Sequence, residues 1–180
     1  MPSRTASKAR RGASRTAKRD AISLLKADHR QVEGWFEEFE KARADSRKTD
    51  LAARICLALR VHMQIEEDIF YPAFIEATED EDMHHEAVVE HAGARNLIEQ
   101  IESSGPEDDF FGAKVTVLSE MIKHHVKEEE QPGGMFAKAK KSEMDLKAVG
   151  DQLAARKSEL MSREPARSSK ASQRATHAHA

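Results

Sequence analysis

His62-Met-Gln-Ile-Glu66-Glu67-Asp68-Ile-Phe-Tyr-Pro72 is the stretch whose reading decides the fold. His62 and Glu66 are four residues apart. On a helix that spacing stacks two side chains on one face, close enough to share one metal ion. Leu51, Ile55 and Leu59 fall on the same face, which is therefore the buried one. A histidine and a carboxylate point into a core, and a buried carboxylate is costly unless it is paired or coordinates a metal.

Upstream of this helix, Asp20 caps a first helix with Ile22, Leu25, Val32, Phe36 and Phe39 on its inner stripe. The missing member of that series is His29. Ala44–Asp50 reads as a loop, and the second helix runs from about Leu51 to Glu76. Pro72 bends it or starts its last turn. Cys56 lies near the buried face as a small apolar thiol, and Tyr71 reads mainly as a packing residue. Downstream, the acidic Thr78–Asp82 leads into a third helix with His84, Val88, His91, Ile98 and Ile101 along its stripe. Ser103-Ser-Gly-Pro106 ends it. The fourth helix starts near Glu107, carries Val115, Leu118, Met121 and Ile122, and reaches His124-His-Val-Lys-Glu-Glu-Glu130. Pro132-Gly-Gly134 breaks it. A last amphipathic helix begins near Ser142.

The two halves repeat. Asp28-His29 answers Glu90-His91, and His62-xxx-Glu66-Glu67 answers His125-xxx-Glu129-Glu130. The first gap, His29 to His62, is 33 residues; the second, His91 to His125, is 34. Two such hairpins packed about a pseudo-twofold axis make an all-α four-helix bundle and bring four histidines and two glutamates to its middle. His124 with Glu128 has the same spacing as His125 with Glu129. The stripe favours the second register, because Ile122 and Leu118 lie on the His125 face. Imidazole and carboxylate without thiolate suit iron, manganese or zinc. Two carboxylates and several histidines in a bundle core make a site for two ions, with positions left for water, oxygen or peroxide.

These motifs, together with Ile69-Phe-Tyr-Pro72, resemble the hemerythrin-like, HHE cation-binding family over about residues 20–160. The resemblance implies an antiparallel, up-down bundle with an extra C-terminal helix. It also implies a centre of two non-haem irons with an oxo or hydroxo bridge, manganese and zinc being the lesser alternatives. The implied ligands are His29, His62, Glu66, His91, His125 and Glu129. Two departures stand out. Ala87 occupies the place of a second third-helix histidine of the oxygen carriers. Gln131-Pro-Gly-Gly134 looks like an insertion that could open the end of the site.

The chain has 180 residues, 34% of them charged, and a net charge of −3. That charge predicts no general attraction to nucleic acid or membrane. The single cysteine excludes an internal disulfide and suits a reducing compartment. No apolar run approaches the length of a membrane span. Residues 1–19 carry seven Lys or Arg and no acid, and read as a disordered basic tail. They share their Arg- and Ser-rich, acid-free composition with transit peptides, but a solvated tail accounts for it equally. Residues 20–161 form the domain, and 162–180 read as a disordered polar tail. The expected function is a cytoplasmic di-iron protein, monomeric or weakly associating, that binds or reacts with oxygen or peroxide. The rivals are a peroxide-degrading enzyme and a metal- or oxygen-sensing module.

Overall fold

In this computed structural model the backbone of residues 19–177 and the side chains of residues 19–163 are described. The basic tail over 1–18, and the side chains of His177 and His179, lie outside that range. The helices are α1 (Ala21–Lys41), α2 (Asp45–Ile65), α3 (Tyr71–Thr78), α4 (Glu81–Glu102), α5 (Phe111–Glu130), α6 (Met135–Lys141) and α7 (Leu146–His177), with a π-helical turn at Glu66–Phe70 joining α2 to α3. Among the described residues there is no strand.

α1, α2, α4 and α5 form a closed, up-down four-helix bundle, each packing on the next around the ring. α7 is the extra C-terminal helix and lies against α1 and α2. Asp20 caps α1 by accepting from the Ser23 N–H at 2.7 Å, as expected of an acid ahead of a periodic stripe. The stripe of α1 is buried throughout, His29 included.

The core has two apolar layers. One holds Val32, Phe36, Leu51, Ile55, Cys56, Leu59, Ile98 and Leu118. The other holds Ile22, Leu25, Ile65, Phe70, Tyr71, Phe74, Phe136 and Leu153. His29, His62, Glu66, His91, His125 and Glu129 are all buried. In sequence they fall where each helix passes from one layer to the other, so the fold places a polar slab across the bundle.

Several boundaries differ from the sequence expectation. The segment expected as a loop is helical from Asp45, so the whole link is shorter. Thr49 Oγ1 turns back to the Asp45 carbonyl rather than capping a later start. α5 starts at Phe111 rather than Glu107, because Asp108 folds the preceding residues into a turn, accepting from the Phe110 N–H and pairing with Lys114. α4 buries Ala87, His91, Ala94, Ile98 and Ile101. His84 and Val88 lie on the edge of that stripe instead of within it, because the small Ala87 takes the inward place. α7 continues to His177, past the end expected near Leu160.

Sequence periodicity does not predict the π turn. The Tyr71 N–H reaches back five residues to the Glu66 carbonyl. The extra residue rotates the chain so that Glu66, Phe70 and Tyr71 all face inward, which α-helical spacing alone would not allow. Pro72 follows at the start of α3, where its missing N–H costs little.

Candidate metal centre

The six side chains predicted to converge do so. His29 Nε2 and His62 Nε2 are 2.9 Å apart, and His91 Nε2 and His125 Nε2 are 3.3 Å apart. Glu66 lies between the pairs, with Oε1 3.1 Å from His62 Nε2 and Oε2 3.5 Å from His91 Nε2. Glu129 crosses the other way. Its Oε2 is 3.5 Å from His29 Nε2 and its Oε1 is 3.7 Å from His125 Nε2. Two groups could each hold a cation: His29, His62 and Glu66, and Glu66, His91 and His125. Glu66 belongs to both, and Glu129 faces both. The register at the end of α5 is that of His125 and Glu129. The His124 side chain is 63% exposed, against 5% for His125.

The outer nitrogens explain why the inner ones point inward. His29 Nδ1 donates to Glu130 Oε1 at 2.8 Å, His91 Nδ1 to Glu67 Oε1 at 2.9 Å, and His125 Nδ1 to Glu90 Oε2 at 2.7 Å. A carboxylate can only accept, so each of these rings carries its proton on Nδ1 and leaves Nε2 free as a ligand. His62 Nδ1 faces Asp28 Oδ2 at 3.6 Å, an ion-pair distance longer than a hydrogen bond. The repeat therefore extends one shell outward. The acid before each first histidine, Asp28 or Glu90, faces the second histidine of its own hairpin. The acid after each ligand glutamate, Glu67 or Glu130, holds the first histidine of the other hairpin.

Glu67 and Glu130 thus do not face outward, as their position beside a ligand suggests. A doubled Glu-Glu in both halves is the available signal. Three of the four acids are neutralised in turn, Glu130 by Lys26 and Arg30, Glu67 by Arg95, and Asp28 by Lys157 from α7, while Glu90 meets only His124 and His125.

Two imidazole nitrogens with lone pairs cannot sit 2.9 Å apart without a cation or proton between them. Without metal, protons fill this role. Burial pulls His62 down, but the Glu66 charge and Asp28 outweigh it and hold His62 up at about 10. Burial likewise opposes protonation of His125, while Glu129 and Glu90 raise it to about 9. Their partners move the other way. Burial takes His29 down to about 4 and also lowers His91. Each pair therefore has one protonated and one neutral ring. Burial raises Glu129, and the nearby Glu66 charge raises it further. Burial opposes ionisation of Glu66 as well, but the His62 charge wins and keeps it ionised.

Even so, both Glu66 oxygens and Glu129 Oε2 are buried without a hydrogen-bond partner of good geometry. Buried carboxyl oxygens in that state are costly, those of the ionised Glu66 most of all. A pair of divalent cations would satisfy them, and oxygen and imidazole are the donor types that iron, manganese and zinc accept. The residues fit a two-metal group.

Tyr71 packs as expected, its ring fully buried. Its hydroxyl also reaches the site, 3.3 Å from His91 Nε2 and 3.4 Å from Glu129 Oε1. The π turn puts it there. The expected opening at Pro132-Gly-Gly134 is instead a lid. Gly133 takes φ +86°, the chain turns back into α6, and Phe136 stacks on His29 with an interplanar angle of 8°. Phe136 also meets Phe70 edge-on. The site does open on another side, where a cavity of about 610 Å³ between α4 and α5 reaches His125 and Glu129 beside Ala87.

Residues 20–133 match the family described as Hemerythrin HHE cation binding domain. Among curated proteins the chain is similar to a DNA nickase of Nostoc sp., at 25% identity over 107 residues, which is 59% of this chain and 30% of that protein. It thus spans less than a third of that relative's length. Among solved structures it is similar to a hemerythrin HHE cation binding domain-containing protein from Mycobacterium kansasii. The TM-score is 0.65 and the identity 22%, covering 79% of this chain and 87% of that one, a likeness of fold. The family match takes in all four bundle helices and every one of the six converging side chains, and the chain belongs to the hemerythrin HHE cation binding domain family.

Proposed function

We propose that the chain holds two iron ions and that the pair binds or reacts with oxygen or peroxide. The observation that carries this reading is the pairing of unpartnered Glu66 and Glu129 oxygens with four imidazoles whose Nε2 atoms face the same interior point. His29 and His62 would hold one ion, His91 and His125 the other, with Glu66 and Glu129 shared. When bound, such a pair supplies electrons and open positions for a small oxygen ligand.

The protein's own residues do the rest. Asp28, Glu67, Glu90 and Glu130 fix ring orientation and make the imidazoles better donors. Phe136, backed by Phe70, covers one face of the His29 ring. Tyr71 offers a buried O–H at the His91 side, where it donates a hydrogen bond to Glu129 Oε1. The cavity beside Ala87 admits solvent-sized molecules to that same side.

Peroxide breakdown at the same centre is the second reading. The Tyr71 hydroxyl favours it, because peroxide chemistry needs a proton moved beside the metal. Among the described residues no helix is long and apolar enough to cross a membrane.

The deciding experiment is metal quantification with an optical spectrum in air and after reduction. About two irons per chain and a spectrum that changes with oxygen or peroxide support the proposal. Well under one iron after expression with ample iron would overturn it. Oxygen evolution from peroxide above that of free iron selects the second reading, and its absence removes it.

A further inference from the structure

The six donors are enclosed, so a cation needs a way to them. Two cavities reach the centre on either side of α5, and their walls carry opposite character. The larger, about 610 Å³, has Glu86, Glu90, Glu128, His85 and His124 around it and His125 and Glu129 at its inner end; no Lys or Arg lines it. The smaller, about 300 Å³, lies between α1 and α5 and ends on His29. Arg30, Lys123 and Lys127 line it against Glu33 and Glu130.

We infer that the larger cavity is the uptake route for divalent cations and that Glu86, His124 and Glu128 are its outer stations. The inference rests on the two-metal reading above. Clefts walled by one sign of charge raise the local concentration of the opposite ion and its on-rate, by roughly 10- to 1,000-fold. Carboxylate and imidazole can also replace the water of a hydrated cation in steps.

The side chains form a continuous series. Glu90 spans rim and interior, with Oε1 3.3 Å from the exposed His124 Nε2 and Oε2 2.7 Å from the buried His125 Nδ1. Gln131 Nε2 donates to Glu128 Oε2 at 2.6 Å, which fixes that carboxylate at the cavity wall. Beyond it lies Glu129, 2% exposed, with Oε2 unpartnered. Ala87 leaves the passage wide, and a larger side chain there would narrow it. In the α1–α5 groove three cationic side chains stand in the way and Phe136 covers His29.

The test is stopped-flow uptake of cobalt(II) by the metal-free full chain, followed by visible absorbance, with the final stoichiometry measured separately. E86Q/E128Q is expected to load about tenfold more slowly at low ionic strength. The difference should shrink as salt is added, and two ions per chain should be reached in the end. H124A, a change at an exposed position, should slow loading about threefold with an unchanged circular dichroism spectrum. K123Q/K127Q, on the other face, should load at the wild-type rate. Wild-type rates in E86Q/E128Q and H124A overturn the route, as does slowing confined to K123Q/K127Q. A wild-type chain that takes up no cobalt overturns the two-metal reading itself, and the route with it.

Discussion

The α1–α2 and α4–α5 hairpins carry the same donors in the same order, yet they leave the centre in different ways. After Glu66-Glu67 the first continues without a break, through a π turn into α3, and brings the Tyr71 hydroxyl to the metal side. After Glu129-Glu130 the second stops, turns through Pro132-Gly133-Gly134 and returns as α6, bringing Phe136 over His29. Ile69-Phe70 and Met135-Phe136 are corresponding pairs reached by two backbone routes. The repeat is therefore strict where donors and their bracing acids are concerned and loose in the chain that covers them. One side of the centre is consequently covered by an apolar ring and reached by a smaller cavity lined with Lys and Arg, while the other has a hydroxyl and a larger cavity.

The largest expected effect tests what the two hairpins share. Glu66 belongs to both cation groups, whereas Glu129 is more distant from its histidines. Glu66→Ala should bring the metal content below one ion per chain by elemental analysis. Glu129→Ala should retain more than Glu66→Ala, and the reverse order would contradict the assignment.

Next come the bracing acids. Glu67→Gln and Glu130→Gln should each weaken metal binding by about 10- to 100-fold. Glu67→Gln should act on the ion at His91 and Glu130→Gln on the ion at His29, so competition titrations should show one weakened step in each variant. Two equal weakened steps in either variant would refute the cross-hairpin pairing.

Phe136→Ala should lower stability by about 3–5 kcal/mol in denaturant unfolding and expose the His29 side to solvent. Gly134→Ala probes the same corner, because a Cβ there would collide with the Glu128 carbonyl and lie 2.9 Å from that of Glu129. It should cost about 1–3 kcal/mol and shift the second hairpin's donors. The first hairpin has no glycine at its corresponding turn to test.

The smallest effect lies away from the centre. Burial pushes the Cys56 thiol up to about 12 from 9.0, with the Glu102 charge adding to the shift. The group binds its proton more tightly when folded, so its contribution to stability is complete below pH 9 and is lost as pH rises toward 12. Native protein at about pH 8.5, near the ordinary thiol pKa, should therefore label with a thiol reagent far more slowly than unfolded protein. Equal rates would show that α2 opens readily.

Much of this was legible in the sequence. The 33- and 34-residue gaps, the HisxxxGlu spacing and the histidines standing in apolar stripes were enough to give the bundle and the six converging side chains. What stayed hidden was set by tertiary contact. The sequence left the surroundings of Glu67 and Glu130 open because their partners, His91 and His29, are on the other hairpin, and single-helix periodicity does not show that pairing. Tyr71 points inward only because of the π turn, and no residue in Glu66–Phe70 announces one. Pro132-Gly-Gly134 was visible as a break, but whether a break opens or closes a site depends on how the next segment packs. Here that was decided by Met135, Phe136 and Ala139, which are buried. Their short run was too brief to show a helical period.

Lys157 sits on α7, more than a hundred positions from Asp28, yet its ammonium is 2.5 Å from that carboxylate, which in turn faces His62. A fragment ending at Gly133 would keep every donor and lose both this tether and the Phe136 shield. Such a truncation would look complete on paper and behave as a leaky, loosened cup, so the smallest dependable unit for expression extends past Lys157.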